Sequence, residues 1–506
     1  MVKETLDAPY SHYLLDAELS QKVDHRTTEE MDIDGFTLME IAGSSAAKKI
    51  LQHNKQLQHN VFLCGKGNNA GDALVVARYL LQHDARVTLV FISGTDDLSK
   101  DTQKNLKLLR AFDKKDRITI YEKWSGFSAP NNYNFIIDGM LGTGLTSDLR
   151  GDYAKAVGWA NQQQHPVLAM DIPTGLHPDS GEKMGKAIEA VRTFSFGGRK
   201  QGFYLNDGPA VTGTIDYCDL PFPNAYKEDC KTFALDTDWV SLPSYTPGKH
   251  KYDSGVLHIV AGSEGLTGAA IMAARSAWAE GLGAIIIICP RGLLSVFEHN
   301  LPSVIKKPVG KKEDYYFKES HAEQVQDILQ EKESSMLLGP GLGRNTDTIS
   351  FVEQLLTTTT TDTIIDADGL WCLSQLEEWP KTDQANWILT PHPGELQKLI
   401  KDEIGEGHQR LNTVRKLCQE NNTTILSKGM PGIIGTPSRK CYLTNYNTNY
   451  FARAGSGDVL AGKVSAFSAL GLAADESCAA ALLNGQQKLS SLQKDTNKIP
   501  EPTDFI

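Results

Sequence analysis

The chain has 506 residues, of which 40% are hydrophobic and 22% are charged, and its formal net charge is −11. This length predicts two large domains, and the composition is typical of a globular protein. The excess of acidic residues argues against nucleic acid or an anionic membrane as a partner. Residues 1–7 lack the apolar core of a signal peptide, and no apolar run approaches the roughly 20 residues that span a bilayer. We therefore expect a cytoplasmic protein.

The eight cysteines are scattered along the chain without a CxxC pair. Most of them lie in apolar runs, as Cys64 and Cys289 do. This distribution predicts reduced, buried thiols and argues against structural zinc.

The first half contains a glycine-rich turn between a predicted strand and a predicted helix. Helices are predicted up to about residue 50, then a strand at 61–64, the turn GKGNNAGD at 65–72, a helix at 73–80 and a strand at 86–92. Strand, turn, helix and strand form a βαβ unit, which places the turn at the carboxyl end of a parallel sheet, where ligands bind. The GxGxxG pattern is not present, so we do not infer an ordinary dinucleotide site from spacing.

Two further predicted strands end in an acidic residue that runs into a glycine turn. These acids are Asp138, which follows residues 135–137, and Asp171, which follows residues 167–170. Each acid alone is typical of a loop cap. Three polar strand ends in one α/β unit lie side by side at one edge of the sheet, which favours a ligand site.

Four segments of this half resemble the NAD(P)H-hydrate epimerase family. They are LMEIAG (38–43), GNNAGD (67–72), DGMLGTGL (138–145) and DIPTGL (171–176). The resemblance covers roughly the first two hundred residues and implies a Rossmann-like three-layer α/β domain, which we assign to residues 1–225. It implies a substrate pocket lined by Asn68, Asn69, Ala70, Gly71, Asp72, Gly142, Thr143, Gly144, Leu145, Thr146, Ser147, Asp148 and Asp171.

The same resemblance implies a potassium ion (K+) held by oxygen ligands from Asn69, Asp138 and Thr174. Asp171 is the candidate acid/base for epimerisation. Alanines at 70 and 73 replace glycines that are usual in the family, and a methyl group at position 70 could crowd the backbone around the phosphates.

A second α/β domain is predicted for residues 226–506. Residues 220–229 are rich in proline and polar residues and are interpreted as the linker or its edge. Repeated strand–loop–helix units after it predict a mostly parallel central sheet. The threonine run at 357–361 is interpreted as a polar loop.

The segment RAGSGDVLAG at 453–462 carries the clearest chemical signal of the second half. Its glycines permit a sharp turn into a helix, whose free N–H groups and dipole suit a phosphate. Asp458 at that helix start is placed to take a proton from a hydroxyl that then attacks the phosphate. The alternative is that Asp458 only caps the helix.

His392 lies between two prolines at a predicted strand end, which favours a role in a site over a core position. Glu395 follows three residues later and either orders magnesium (Mg2+) through water or caps the next helix. Lys428 and Gly429 end another strand, where they can meet a phosphate or form a surface turn.

Five segments of this half resemble the NAD(P)H-hydrate dehydratase family, which is ribokinase-like, with a three-layer α/β fold. They are GPGLGR (339–344), DADGL (366–370), TPHPGE (390–395), SKG (427–429) and GSGDVLAG (455–462). The resemblance implies that the hydrated nicotinamide nucleotide meets Ala269, Gly341, Gly343, His392 and Asp458. It also implies that the ADP co-substrate meets Lys428, Gly429, Met430, Pro431, Gly432 and Gly457, with Mg2+ present.

Together the two resemblances imply a bifunctional enzyme that repairs the C6 hydrates of NADH and NADPH, written NADHX and NADPHX. The first domain would interconvert the R and S epimers. The second would dehydrate the S form at the expense of ADP, giving NAD(P)H, AMP and phosphate. The use of ADP rather than ATP is implied by the fused architecture and not by spacing, and a homo-oligomer is expected by analogy.

Two other functions remain open from sequence. The second domain could be a vitamin or sugar kinase that releases its phosphorylated product, although such kinases more often carry asparagine at the position of His392. The first domain could be a binding module without catalysis, which Ala70 and Ala73 would favour.

Overall fold

The computed structural model describes residues 5–53, 58–112, 116–242, 254–380, 385–446, 448–495 and 500–506. The chain divides into two compact units, Pro9–Phe233 and Ala234–Ile506, and residues 5–8 belong to the second of these. The change of unit falls within the strand Thr232–Leu235. In the described ranges, no helix has the length and apolar character needed to cross a membrane.

The first unit is built around a parallel sheet, whose central strands are mostly runs of buried apolar residues, as expected for strands covered on both faces. Its strands are β1 Leu14–Leu15, β2 His59–Cys64, β3 Arg86–Phe91, β4 Ile118–Tyr121, β5 Phe135–Gly139, β6 Val167–Met170, β7 Arg192–Phe196, β8 Arg199–Lys200 and β9 Thr214–Cys218. Its helices are α1 Ala17–Glu30, α2 Gly35–His53, α3 Asn68–Gln82, α4 Lys100–Phe112, α5 Gly151–Asn161 and α6 Gly208–Val211.

Seven of these strands, as far as the structure describes the unit, form one sheet in the order β4-β3-β2-β5-β6-β7-β9 with parallel neighbours. Helices α2, α3 and α4 pack on one face, against Phe62 and Ile137. Helix α5 packs on the other face, against Leu63 and Ile136. The unit therefore has three layers, and the direction of winding reverses between β2 and β5, which is where open α/β sheets bind ligands.

The second unit also surrounds a mostly parallel sheet. Its strands are β10 Thr232–Leu235, which includes the change of unit, β11 Val256–Val260, β12 Ala284–Pro290, β13 Ile305–Val309, β14 Ser335–Leu338, β15 Asp362–Ile365, β16 Trp387–Leu389, β17 Thr424–Ser427, β18 Ile433–Gly435 and β19 Cys441–Thr444. Its helices are α7 Thr267–Ala279, α8 Leu294–Asn300, α9 Ala322–Gln330, α10 Thr346–Thr358, α11 Asp368–Gln375, α12 Pro393–Ile400, α13 Gly407–Asn421, α14 Ser456–Ala469 and α15 Ala474–Asp495.

The strand order of this sheet is β10-β19-β18-β17-β16-β15-β14-β11-β12-β13. Neighbours from β11 to β17 pair in parallel, and β17, β18 and β19 form antiparallel pairs. The winding reverses between β11 and β14, so the second ligand crevice is expected beside the loops that follow these two strands.

Residues 5–8 are held in the second unit by hydrogen bonds to groups far along the chain. The backbone amides of Thr5 and Leu6 each donate to the carboxylate of Asp475 at 3.1 Å, and that carboxylate is buried. The hydroxyl of Tyr442 donates to the carbonyl of Leu6 at 2.9 Å. The boundary placed at residue 225 from sequence did not anticipate this return of the N-terminus.

Two smaller expectations have opposite outcomes. All eight cysteines are free and buried, as predicted. The threonine run is not wholly a loop, because α10 continues through Thr358. The hydroxyls of Thr357 and Thr358 donate to the carbonyls of Glu353 and Gln354 one turn earlier, which lets these polar residues remain helical.

Two candidate active sites

A cleft of about 670 Å3 opens in the first unit and is lined by the loops that follow β2 and β5. Most of the residues predicted for the substrate pocket line it: Asn68, Asn69, Asp72, Gly142, Thr143, Gly144, Leu145, Thr146, Ser147 and Asp171. The predicted Ala70, Gly71 and Asp148 are not part of this lining. Asp24 of α1 and Lys200 of β8, which were not predicted, are part of it.

The methyl group of Ala70 faces the protein core. Ala70 is fully buried in the apolar cluster between α3 and the sheet, with Ala73, Leu74 and Phe62. Because α3 turns this side of the helix inward, the methyl group does not reach the cleft. This orientation argues against crowding of the phosphates by Ala70.

Four oxygen-bearing groups converge beneath the loop that follows β5. The Asp138 carboxylate is fully buried and accepts from the Thr174 amide at 2.7 Å and from the Thr174 hydroxyl at 2.8 Å. The Leu141 amide donates to the Thr174 hydroxyl at 3.0 Å, and the Asn69 side-chain amide donates to the Leu141 carbonyl at 3.1 Å. Burial raises the pKa of Asp138 to about 6, against hydrogen bonds from Thr174 that lower it.

The Oδ1 atom of Asn69 is buried and has no hydrogen-bond partner among the described residues. A buried oxygen without a donor is costly unless another group satisfies it. Together with the carboxylate of Asp138 and the hydroxyl of Thr174 it forms a set of oxygen ligands, which suits a hard cation. The three residues predicted to hold potassium are thus connected through Leu141.

Asp171 lies directly after β6 with a φ of +57°, a conformation that few residues other than glycine adopt. Its Oδ1 accepts from the ammonium group of Lys200 at 2.5 Å and from the amide of Phe196 at 3.2 Å. Lys200 is only 2% exposed and also donates to the carbonyls of Phe196 and Gly198. Sequence reasoning missed Lys200, whose only signal was a lysine inside a run of glycines and aromatic residues.

In the second unit the loops that follow β11 and β14 meet at the reversal of the sheet. The Gly262 amide donates to the Pro340 carbonyl at 3.1 Å. A Cβ atom on Gly341 would lie 2.3 Å from the Leu266 carbonyl oxygen, and Gly341 also has a φ of +65°, so only glycine fits there. The predicted Gly341 therefore lies against the residue that precedes α7, the helix whose first turn carries the predicted Ala269.

Helix α14 begins at Ser456, and Asp458 lies in its first turn. A Cβ atom on Gly455, which precedes the helix, would lie 2.8 Å from the sulfur of Met272 in α7. Farther along, a Cβ on Gly462 would lie 2.3 Å from the Ala273 carbonyl. The two helices are packed closely, and this brings the first turns that carry Ala269 and Asp458 to the same region.

An ion pair with a buried carboxylate lies beside the start of α14. The Nζ of Lys428 is 2.6 Å from Oδ1 of Asp366, which also accepts from the Thr390 hydroxyl at 2.7 Å. A Cβ on Gly457 would lie 3.1 Å from this Nζ, so the ammonium group faces the first turn of α14. Burial and then repulsion from Asp366 raise the pKa of Asp458 to about 7, and Lys428 opposes the rise.

His392 and Glu395 cap the start of α12. The Nδ1 atom of His392 accepts from the Gly394 amide at 3.0 Å, and Oε2 of Glu395 accepts from the His392 amide at 2.9 Å. The capping alternative for Glu395 is therefore observed. The His392 side chain is 57% exposed, which leaves its ring accessible to a ligand.

The segment from Lys428 to Gly432 is held by an arginine that sequence reasoning missed. Arg410 is buried and donates to the carbonyls of Lys428, at 2.7 Å, and Pro431. The Gly432 amide donates to the Thr444 hydroxyl at 2.8 Å. In the sequence, the only indication of this role is that Arg410 lies next to the apolar stripe of α13.

Asp368, another residue not assigned a role from sequence, holds the turn after β14. Its Oδ2 accepts from the Gly343 amide at 3.0 Å, and its Oδ1 accepts from Nε of Arg344 at 2.8 Å. The predicted Gly343 is thereby fixed with a φ of +83°.

Two family models match the chain. One, described as YjeF-related protein N-terminus, matches residues 35–202, and the other, described as NAD(P)H-hydrate dehydratase, matches residues 257–503. Among solved structures, an ADP/ATP-dependent NAD(P)H-hydrate dehydratase from Bacillus subtilis is 22% identical with a TM-score of 0.44, covering 52% of this chain and 91% of that chain. A ribokinase-like superfamily protein from Enterococcus faecalis is 19% identical with a TM-score of 0.46, covering 54% and 93%.

Curated relatives match along nearly the whole chain. A bifunctional NAD(P)H-hydrate repair enzyme Nnr from Thermofilum pendens is 28% identical over 90% of this chain and 87% of the relative. The enzyme of the same name from Salinibacter ruber is 35% identical over 93% of this chain and 90% of the relative. This likeness, over both units and both candidate sites, shows that the chain belongs to the family of bifunctional NAD(P)H-hydrate repair enzymes.

Proposed function

We propose that this chain restores hydrated NADH and NADPH in two steps, one at each candidate site. The cleft of the first unit interconverts the R and S epimers of the C6 hydrate. The site at the start of α14 removes water from the S epimer at the expense of ADP. The observation that carries this proposal is the placement of Asp458 in the first turn of α14, beside the ammonium group of Lys428.

Dehydration needs help because hydroxide is a poor leaving group. Asp458 takes the proton of the C6 hydroxyl, whose oxygen attacks the β-phosphorus of ADP and releases AMP. The amides of Ser456 and Gly457 stabilise the negative charge that develops on the phosphoryl oxygens. Loss of phosphate from C6, with a proton from C5, then gives the dihydronicotinamide. A carboxylate whose pKa is about 7 is suited to accept this proton near neutral pH.

The remaining predicted residues of the second unit are assigned to the two ligands. We assign the substrate to Ala269, Gly341, Gly343 and His392. We assign ADP to the segment braced by Arg410, which comprises Lys428, Gly429, Met430, Pro431 and Gly432, together with Gly457. Glu395 and Asp366 offer carboxylate oxygens that fit Mg2+, which would neutralise phosphate charge when bound.

In the first unit we assign K+ to Asn69, Asp138 and Thr174. The support is the buried Oδ1 of Asn69, which lacks a donor in the described part of the chain. A cation at this point would fix the loop after β5, which lines the cleft. We assign Asp171 to acid/base chemistry on the substrate.

The test uses the purified full chain with a mixture of R and S NADHX, K+ and Mg2+, with ADP or ATP added in parallel. The return of the dihydronicotinamide absorbance is followed. Complete recovery with ADP is the expected result. A plateau at the fraction of S epimer would overturn the epimerase assignment, and no recovery with either nucleotide would overturn the dehydratase assignment.

A further inference from the structure

A second carboxyl group in the first cleft differs from Asp171 in its surroundings. Asp72 lies in the first turns of α3, lines the cleft and is 8% exposed. Within the described ranges its carboxyl oxygens make no hydrogen bond. Burial of a carboxyl group disfavours its ionised form, because the charge loses part of its hydration.

Asp171 has the opposite surroundings in the same cleft. Two donors reach its Oδ1, the ammonium group of Lys200 and the amide of Phe196. Donors of this kind hold Oδ1 of Asp171 in a fixed position in the cleft. Two acids in one cleft with opposite surroundings are the arrangement in which one holds a proton and the other accepts one.

The charges around Asp72 act in the same direction as its burial. Burial, and then repulsion from Asp171 and Asp24, raise the pKa of Asp72 well above that of an ordinary carboxyl group. Lys200 lowers it by a smaller amount. Of the charged groups that act on Asp72, two are therefore acidic and one is basic.

We propose that Asp72 donates the proton that starts epimerisation, that Asp171 accepts the proton that completes it, and that Lys200 positions the side chain of Asp171. The inference rests on the proposed function of the first cleft and adds to it the roles of Asp72 and Lys200, with Asp171 as the acceptor.

The proposed step breaks the bond between C6 and its hydroxyl oxygen. The proton of Asp72 passes to that oxygen, which leaves as water, while the lone pair of N1 forms a C6=N1 iminium. A water molecule adds to the opposite face of C6, and its extra proton passes to Asp171. Return of that proton to Asp72 through water restores the cleft, so the net reaction is inversion at C6 without oxidation or reduction.

The direct test is Asp72→Asn in the full chain, supplied with the pure R epimer, K+ and no ADP. Asparagine keeps the size of the side chain but cannot supply the proton, so the rate of S formation should fall by about 100-fold or more. Dehydration of the S epimer with ADP should continue at the wild-type rate. If the wild-type chain does not epimerise the substrate, the proposed function of the first unit is overturned. If the wild type is active and Asp72→Asn is equally active, only this inference is overturned.

A pH profile separates proton donation from a structural role. The wild-type rate should fall as pH rises through the pKa of Asp72. Asp24→Asn removes a repulsion and should move this fall to lower pH, whereas Lys200→Met removes an attraction and should move it to higher pH while also slowing the reaction. Since Asp24 lies at the cleft wall, its variant keeps the test valid even if Lys200→Met does not fold. A fall that stays at the same pH in Asp24→Asn contradicts the inference.

The bond that breaks can be followed with labelled water. Inversion in water enriched in oxygen-18 should place the label in the C6 hydroxyl of each product molecule, above the level of a reaction without enzyme. Inversion without label would mean that the C6–O bond stays intact and would overturn the proposed step.

Discussion

The ammonium group of Lys428 lies 2.6 Å from Oδ1 of the buried Asp366, and this ammonium group faces the first turn of α14. The two partners act on Asp458 with opposite sign, since Asp366 raises the pKa of Asp458 and Lys428 lowers it. The pair therefore adjusts the acidity of Asp458, the base proposed for dehydration. It does so through charge, since among the described residues Asp458 makes no hydrogen bond to Asp366 or Lys428.

Dehydration should depend on pH through Asp458. A base must be ionised to act, so kcat for the S epimer with ADP should rise as pH increases through about 7 and be lost as pH falls below it. Asp458→Asn should lower kcat by about 100-fold to 10,000-fold on the high-pH plateau, where the wild-type base is ionised. The measurement is kcat between pH 5 and 9 at saturating substrates, with epimerisation by the same variant as the control. A flat wild-type profile would count against Asp458 as the base.

The partners of the ion pair should move this profile in opposite directions. Asp366→Asn removes a negative charge near Asp458, so the midpoint of the profile should shift to lower pH. Lys428→Met removes a positive charge, so the midpoint should shift to higher pH, and KM for ADP should increase because the phosphate loses a cation. Parallel shifts of the two variants in the same direction would be inconsistent with this account.

The epimerase half should require K+ through Asn69. Replacing K+ with choline in the assay should lower the rate of epimerisation, and Asn69→Ala should raise the K+ concentration needed for half-maximal rate about tenfold or more. The matched control is Asn68→Ala, since Oδ1 of Asn68 already accepts from the Ser99 hydroxyl at 2.8 Å. Its dependence on K+ should equal that of the wild type, and an equal change in both variants would argue against the assigned ligand.

Ala70→Gly should leave epimerisation unchanged, because the methyl group of Ala70 faces the core and not the cleft. The same change should reduce the stability of the first unit by about 1 kcal/mol or more, since glycine is a poor helix former and the core loses a methyl group. Epimerisation kinetics and urea unfolding would check both expectations. Faster turnover in the variant would revive the idea that the methyl group obstructs the ligand.

Deletion of residues 1–8 should destabilise the second unit. The buried carboxylate of Asp475 would keep the amide of Glu476, at 3.0 Å, but lose those of Thr5 and Leu6. The expected loss is about 1–3 kcal/mol for a buried group left without its partners. In the shortened chain, Asp475→Asn should recover part of the loss because it removes the buried charge. No change in thermal unfolding on deletion would contradict the prediction.

The family and the α/β class predicted from the sequence are confirmed by the matches along both halves. The strand ends could be predicted because apolar runs stop at an acid followed by glycine, as at Asp138 and Asp171. Such a pattern is local, and the topology of parallel sheets brings these ends to one edge. The roles of individual residues at the two sites stay predictions.

What sequence could not supply are relations between distant residues. Lys200 is explained only by its contact with Asp171, and Arg410 only by the carbonyls of Lys428 and Pro431. The side to which Ala70 points depends on how α3 rests on the sheet, which the helix pattern alone does not fix. In each case the role of a buried side chain depends on neighbours that are distant in sequence and that folding brings near.

The link between residues 5–8 and Asp475 also bears on how the protein forms during synthesis. The second unit is discontinuous in sequence, because the first unit is inserted after its opening residues. A ribosome makes Thr5 and Leu6 at the start, and their carboxylate partner follows 469 residues after Leu6. The first unit can fold as soon as it emerges from the ribosome. The second unit can form only after Asp475 has been made and has met residues 5–8. Residues 5–8 therefore complete a unit whose other residues are made after those of the first unit.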